Sequence, residues 1–208
     1  NLMAIADLFQ ISVDELLSNE KSEKKQSNYI YESRTEYDID GKKNFDIKLG
    51  GAYAVDLKAY HGEKIEVAMF SNVYKNLLAD YKVKIDDIKS RIDIDLNRFN
   101  EASEADAKES LVITIFIPVK YIGKIELSVN ARTLNITDIE NEHIEVNGKI
   151  SEVTLQGNKS EIEIDSNLDM QISVLSHEGA IEINQLSATS RLTIPADYRF
   201  RSTKKGIA

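Results

Sequence analysis

A two-strand pattern that repeats at a fixed period is the feature that most constrains how this chain can fold. One set of strands carries an apolar–glutamate–apolar triplet, and its four members begin at Ile125, Ile144, Ile162 and Ile181. A second set of apolar–polar–apolar triplets alternates with the first, and its members begin at Leu134, Val153, Ile172 and Leu192. The differences between successive starting positions are 19, 18 and 19 in the first set and 19, 19 and 20 in the second. Because both sets keep their phase over four repeats, the pattern indicates a repeat architecture.

This period, with two strands in each repeat, predicts an all-β fold of the β-solenoid or β-helix kind, with a stack of about four two-strand coils. The outer residues of each triplet face the interior, and the central residue faces the solvent. An antiparallel meander or sandwich is the alternative, because short strands that follow one another at such close spacing also suit hairpins. Parallel stacking is favoured because it explains why the two sets of strands differ.

The central glutamates of the first set are candidates for an interaction face. If the coils stack in register, they form an outward row with a spacing of about 4.8 Å, and they are Glu126, Glu145, Glu163 and Glu182. Carboxylates in a row repel one another, so neighbouring lysines, bound cations or a basic partner are expected. Lys124 and Lys159 are the predicted local neutralisers. The other interpretation is a solvated surface without a partner.

Residues 28–118 show period-two alternation without a clear repeat, which predicts an irregular β-rich segment. A turn at 61–63 between two alternating runs predicts a hairpin, and Val73–Asp80 carries a helix-like interruption. The acidic stretch Asn97–Ser110 predicts an exposed loop. At the other end of the chain, residues 196–200 are predicted to form a strand.

The segment 1–17 predicts two short helices. Apolar residues at positions 2, 5, 6, 8 and 9 fall at helical spacing, and Ser12 with Glu15 forms a capping box before the next apolar pair. We therefore expect a helical hairpin over residues 1–19 and a charged, solvated linker over residues 20–27. Because the chain opens without Met, we also expect residues upstream of Asn1.

This segment, residues 1–17, resembles the last two helices of a lambda-repressor/Cro-type (XRE) helix-turn-helix domain. The resemblance implies that residues 1–19 are the truncated end of such a domain and that its DNA-reading helix lies upstream. DNA would then be a partner only through those missing helices, and no DNA-contacting residue carries over to this chain.

Residues from about 28 to 208 resemble the bacterial putative-adhesin domain of uncharacterised function, on the loose motifs of the β repeat. That family occurs on surface proteins and also behind helix-turn-helix domains. The resemblance implies an irregular part over residues 28–118, a repeat part over residues 119–208, and no catalytic residues.

Composition argues against several function classes. A net charge of −9 disfavours a large nucleic-acid footprint, and the absence of cysteine excludes disulfides and thiolate chemistry. The histidines His61, His143 and His177 lack metal-ligand spacing, and the longest apolar run, Leu111–Val119, is too short to span a bilayer. We therefore predict no enzyme, no catalytic residue, no cofactor, no metal site and no membrane segment.

Together these patterns predict the C-terminal part of a cytoplasmic bacterial transcription regulator. In this interpretation the β domain binds a protein partner or self-associates as a homo-oligomer, and so sets the spacing of DNA-binding heads. The alternative is a cell-surface or envelope adhesin-like β scaffold without DNA binding.

Overall fold

A computed structural model describes residues 29–100 and 102–205. Thirteen strands in this part of the chain join into one sheet, so the β character of the predicted all-β fold is confirmed, and the fold is mostly β. The predicted helical hairpin at 1–19 and linker at 20–27 lie outside the described residues.

The strands alternate buried apolar and outward polar residues, which is the period-two pattern of the sequence. Their bounds are β1 Tyr31–Asp38, β2 Lys43–Tyr60, β3 Lys64–Ser71, β4 Tyr81–Ile88, β5 Arg91–Arg98, β6 Val112–Pro118, β7 Ile122–Thr137, β8 Glu140–Gln156, β9 Asn158–Asp165, β10 Met170–Val174, β11 His177–Glu178, β12 Ile181–Asn184 and β13 Ser190–Thr193. Two short helices, α1 (Leu77–Asp80) and α2 (Glu104–Ser110), and a 3-10 turn at Val119–Tyr121 complete the described elements.

Three long strands, β2, β7 and β8, each run through two separate ladders, which we call the first wall and the second wall. Their amino-terminal halves continue the first wall, in the order β4, β5, β2, β7, β8, β9 and β12. Their carboxyl-terminal halves continue the second wall, in the order β1, β3, β6, β2, β7, β8, β10 and β13. Pairing is parallel from β5 to β12 and from β6 to β13. The antiparallel meander therefore does not describe the repeat.

The register follows the sequence repeat. Ile125 lies opposite Ile144, and Ile144 lies opposite Ile162, so equivalent residues of successive repeats stack on one another. All three are at most 1% exposed, and they belong to one apolar cluster that runs between the walls. A one-residue slip would turn this apolar column into solvent, so burial fixes the register.

The stack begins with antiparallel strands. β4 pairs with β5 on the first wall, while β3 pairs with β6 and β1 with β3 on the second wall. The outermost strand, β1, presents Glu32, Arg34, Glu36 and Asp38 to solvent. Charged side chains on an edge strand discourage pairing with another chain.

Three local predictions of secondary structure are wrong. The runs flanking the turn at 61–63 are not a hairpin, since β3 pairs with β1 and β6 while β2 lies between β6 and β7. The predicted loop Asn97–Ser110 contains α2, which Ser103 caps by accepting a hydrogen bond from the Asp106 amide. Residues 196–200 form no strand. The helix-like interruption is confirmed at α1.

Candidate functional site

The four predicted glutamates lie opposite one another on adjacent strands of the first wall. Glu126 pairs with Glu145, Glu145 with Glu163, and Glu163 with Glu182. Adjacent strands lie about 4.8 Å apart, so the carboxylates follow one another at roughly that spacing. The parallel register therefore gathers them into a single line.

The line continues beyond the predicted residues. Asp46 on β2 lies opposite Glu126, Asp93 on β5 lies opposite Asp46, and Asp86 on β4 lies opposite Asp93. We call the whole line the acidic row, and its members in order are Asp86, Asp93, Asp46, Glu126, Glu145, Glu163 and Glu182.

The backbone under the acidic row is held by core packing. Ile125 and Leu127, on either side of Glu126, are fully buried, and Ile144 and Val146 are buried on either side of Glu145. Since neighbouring side chains on a strand point to opposite faces, burial of the apolar pair forces the carboxylate outward. The row is thus a rigid feature of the sheet.

Cations neutralise the first three members. Lys48 lies 2.8 Å from Asp46, Arg91 Nε lies 2.6 Å from Asp93 Oδ1, and Lys84 pairs with Asp86. Each cation stands two residues from its partner on the same strand, so both project from the same face. The hydrogen bond with Asp46 raises the pKa of Lys48, and the hydrogen bond with Asp86 raises the pKa of Lys84.

Among the described residues, none of the four glutamates forms an ion pair with a lysine or arginine. Glu145 accepts a hydrogen bond from Asn147 at 2.7 Å, and Glu163 accepts one from Asn184 at 2.9 Å, but both donors are neutral amides. The nearest basic group to Glu163 is His143, whose Nε2 lies 3.9 Å away and carries charge only when protonated. This half of the row therefore presents concentrated negative charge.

The predicted neutralisers of the glutamates bind elsewhere. Lys124 pairs with Glu142 at 3.3 Å, and Lys159 pairs with Glu140 at 3.2 Å. Both acidic partners lie off the row, so the prediction that Lys124 and Lys159 neutralise it is wrong. Glu126 and Glu182 form no hydrogen bond or ion pair with any described residue. The pKa of Arg91 is raised mainly by its hydrogen bond with Asp93, and the charge of Glu126 adds a smaller attraction.

The row does not have the shape of a metal centre. Calcium takes six to eight oxygens around one point, whereas these carboxylates are spread along a line. Within residues 29–100 and 102–205 no group of three or more His, Asp or Glu is arranged to hold a metal ion. Of the three histidines, His61 is exposed in a turn, His143 faces Glu163, and His177 is buried.

The second wall carries a different outward line. Its members lie opposite one another in the order Thr114, Asp56, Asn135, Thr154, Ser173 and Thr193. The one carboxylate in this line, Asp56, accepts a hydrogen bond from Asn135 at 2.6 Å and another from Thr114 at 3.4 Å. Of the two outward lines, the one on the first wall therefore carries the carboxylates that lie in register without a lysine or arginine partner.

Sequence reasoning missed the three aspartates, although a signal for two of them was present. Phe45-Asp46-Ile47 and Ile92-Asp93-Ile94 have the same apolar–acid–apolar form as the repeat triplets. Their positions do not match the repeat period, because Phe45 pairs with the distant Ile125. The inserted strands β3 to β6 hide this relation in the sequence.

Within the described ranges, no helix has the length and apolar character needed to cross a bilayer. No family model and no curated protein matches the sequence.

Two solved structures are similar to this chain to different degrees. A putative cell adhesion protein from Clostridium sporogenes superposes with a TM-score of 0.53 at 8% identity, over 79% of this chain and 99% of that one. A putative adhesin from Bacteroides fragilis, at 13% identity, covers 79% of this chain and 96% of its own with a TM-score of 0.29. The first likeness shows a shared fold.

Proposed function

We propose that this chain is a β-solenoid scaffold of the adhesin-like kind that binds a basic macromolecular partner at the cell surface or envelope. The observation that carries the proposal is the in-register line of four glutamates, none of which forms an ion pair with a described lysine or arginine. The shared fold with a putative cell adhesion protein supports the surface location over a regulatory role. In this proposal the chain is not an enzyme.

The solenoid description rests on the parallel pairing of equivalent triplets across both walls. The described residues up to 118 would supply the antiparallel end and the first parallel layers, and residues 119–205 would supply the regular layers. Such a stack is rigid along its length, because each layer pairs with its neighbours through backbone hydrogen bonds. A rigid line of charge suits an extended basic surface better than a small ligand.

The partner's chemistry follows from electrostatics. Like charges on adjacent strands destabilise a sheet, and a partner with lysines or arginines at a similar spacing would relieve that repulsion. Charge-assisted contacts to arginine or lysine are also the stronger class of hydrogen bond. We therefore expect binding that weakens as salt is added.

The test compares two variants of equal charge. The row variant carries Glu126→Gln, Glu145→Gln, Glu163→Gln and Glu182→Gln, which changes the net charge from −9 to −5. The control carries four neutralised exposed carboxylates that form no ion pair with a described residue, and its substitutions are Glu109→Gln, Asp138→Asn, Asp169→Asn and Asp197→Asn.

Binding of both variants to an immobilised oligolysine peptide is measured by titration. We expect the row variant to bind about tenfold more weakly than the control. Equal affinities would show that only net charge matters, which would overturn the proposed face. Labelling of intact source bacteria with an antibody to the β domain tests the surface location, and a signal seen only after permeabilisation contradicts it.

A second candidate function rests on the resemblance of residues 1–17 to the end of an XRE helix-turn-helix domain. In that case the β domain is the self-association or partner-binding part of a cytoplasmic transcription regulator. Specific DNA binding by the full-length gene product, together with antibody labelling only in permeabilised cells, would favour this role over the adhesin-like one.

A further inference from the structure

The stack ends at two strands that have a partner on one side only. Within the described part of the chain, β12 pairs with β9 alone and β13 pairs with β10 alone. Each therefore leaves one row of backbone donors and acceptors without a strand partner. Such an edge is a template for a further strand.

The apolar core is only partly covered at the same end, although Ile194 and Tyr198 pack against it. In the second wall the stacked residues Leu134, Val153 and Ile172 are at most 1% exposed, whereas the next member, Leu192, is 44% exposed. In the first wall Ile181 and Ile183 are only partly buried, although their partners Ile162 and Ile164 are buried. Two further apolar side chains in this region, Leu186 and Phe200, are 67% and 65% exposed.

The described C-terminal residues cover a different position. The Tyr198 hydroxyl accepts a hydrogen bond from the His177 amide and donates one to the His177 carbonyl at 3.1 Å. Tyr198 thus occupies the place of a further strand over β11. The open sides of β12 and β13 receive no strand from residues 194–205.

The charges on the two open strands are opposite. Glu182 on β12 and Arg191 on β13 are exposed and point away from the core, each on its own wall. A twofold axis can place β12 of one copy beside β13 of the other. Glu182 of each copy then lies near Arg191 of the other copy, which gives two such pairs in the dimer. The exposed apolar columns of the two copies would meet between them.

We propose that this last layer, β12 and β13 with Leu192, is the docking surface for a second copy of the chain. The two copies join end to end through a twofold axis, and their sheets continue across the interface. The proposal goes beyond the scaffold role. Glu182 belongs to both surfaces, so in the dimer it faces Arg191 of the second copy, and Glu126, Glu145 and Glu163 remain for the basic partner. The dimer is a particle with two acidic rows, one from each copy.

The experiment is sedimentation velocity of the purified chain over a range of concentrations. We expect a reversible dimer. Glu182→Arg and Arg191→Glu should each raise the dimer dissociation constant about tenfold, and the double exchange should restore it. Leu192→Asp should give a monomer, with folding checked by circular dichroism.

Glu32→Arg on the edge strand β1 is the matched control, because it makes the same charge change at the opposite end of the stack. It should leave the dimer intact. A chain that stays monomeric at every concentration overturns the proposal. A dimer whose dissociation constant is unchanged by both single charge reversals also overturns it. The same holds if Glu32→Arg raises the dissociation constant as much as they do. Because the charge exchange needs no apolar substitution, the test holds even if Leu192→Asp fails to fold.

Discussion

Neutralising one glutamate in the middle of the acidic row should stabilise the fold. Glu145 has like-charged neighbours on both sides, Glu126 and Glu163. Two unit charges about 4.8 Å apart in water repel by about 0.9 kcal/mol, and like-charged pairs facing each other in sheets cost about 0.2–1 kcal/mol. Glu145→Gln keeps the carbonyl oxygen that accepts from Asn147. We therefore expect a gain of about 1 kcal/mol in the free energy of unfolding.

The assay is thermal and urea unfolding at low and high salt. For a domain of this size a gain of about 1 kcal/mol raises the Tm by about 2–4 °C. Salt near 1 M shortens the screening length to about 3 Å, so the gain should largely disappear there.

The control is Glu152→Gln on the second wall, where the neighbouring residues are Thr133 and Gln171 rather than acids and where Glu152 pairs with Arg132 at 3.8 Å. This variant should show no gain at either salt concentration. An equal gain in the control, or a gain that persists in high salt, would show that repulsion along the row is not its cause.

Two further predictions concern stability. Gly148 has a φ of +143°, and an added Cβ would lie 1.8 Å from the Val129 carbonyl oxygen. Gly148→Ala should therefore lower the free energy of unfolding, measured in urea, by roughly 3 kcal/mol or more. Gly41 has open space around it, so Gly41→Ala should not lower it. His177 is buried and desolvation lowers its pKa, so its neutral form contributes stability above pH 6.5 that is lost as the pH falls below that value. Below pH 6.5 the free energy of unfolding should fall less steeply with decreasing pH in His177→Asn than in His61→Asn, the control at an exposed site.

The sequence predicts the part of the fold in which consecutive repeats of the chain are also neighbours in the sheet. Ile125, Ile144 and Ile162 stack because turns of nearly equal length return the chain to the same place, so spatial and sequence periods agree. The same regularity places the four glutamates on one line. Burial of the flanking apolar residues then decides which side chain faces outward.

The rest could not be predicted, because it depends on pairings between distant segments. Phe45 stacks on Ile125 although four strands, β3 to β6, come between them in the chain, and no local period reports such a contact. The turn at 61–63 looks like a hairpin turn, yet both sides of β2 are taken by β6 and β7. Which carboxylate a lysine reaches also depends on side-chain placement, as Lys124 shows by pairing with Glu142 rather than with the row.

The two halves of the acidic row differ in a way that bears on function. Asp46, Asp93 and Asp86 each have a cation two residues away on their own strand. Glu145 instead has Asn147 two residues away, and Glu163 accepts a hydrogen bond from Asn184 on the adjacent strand β12. Packing alone requires neither arrangement, because all these side chains face outward from the same kind of buried triplet. Repulsion left in the regular layers lowers stability, and a basic partner that binds only the folded chain would restore it by mass action. The cost in stability and the capacity to bind thus arise from the same four carboxylates.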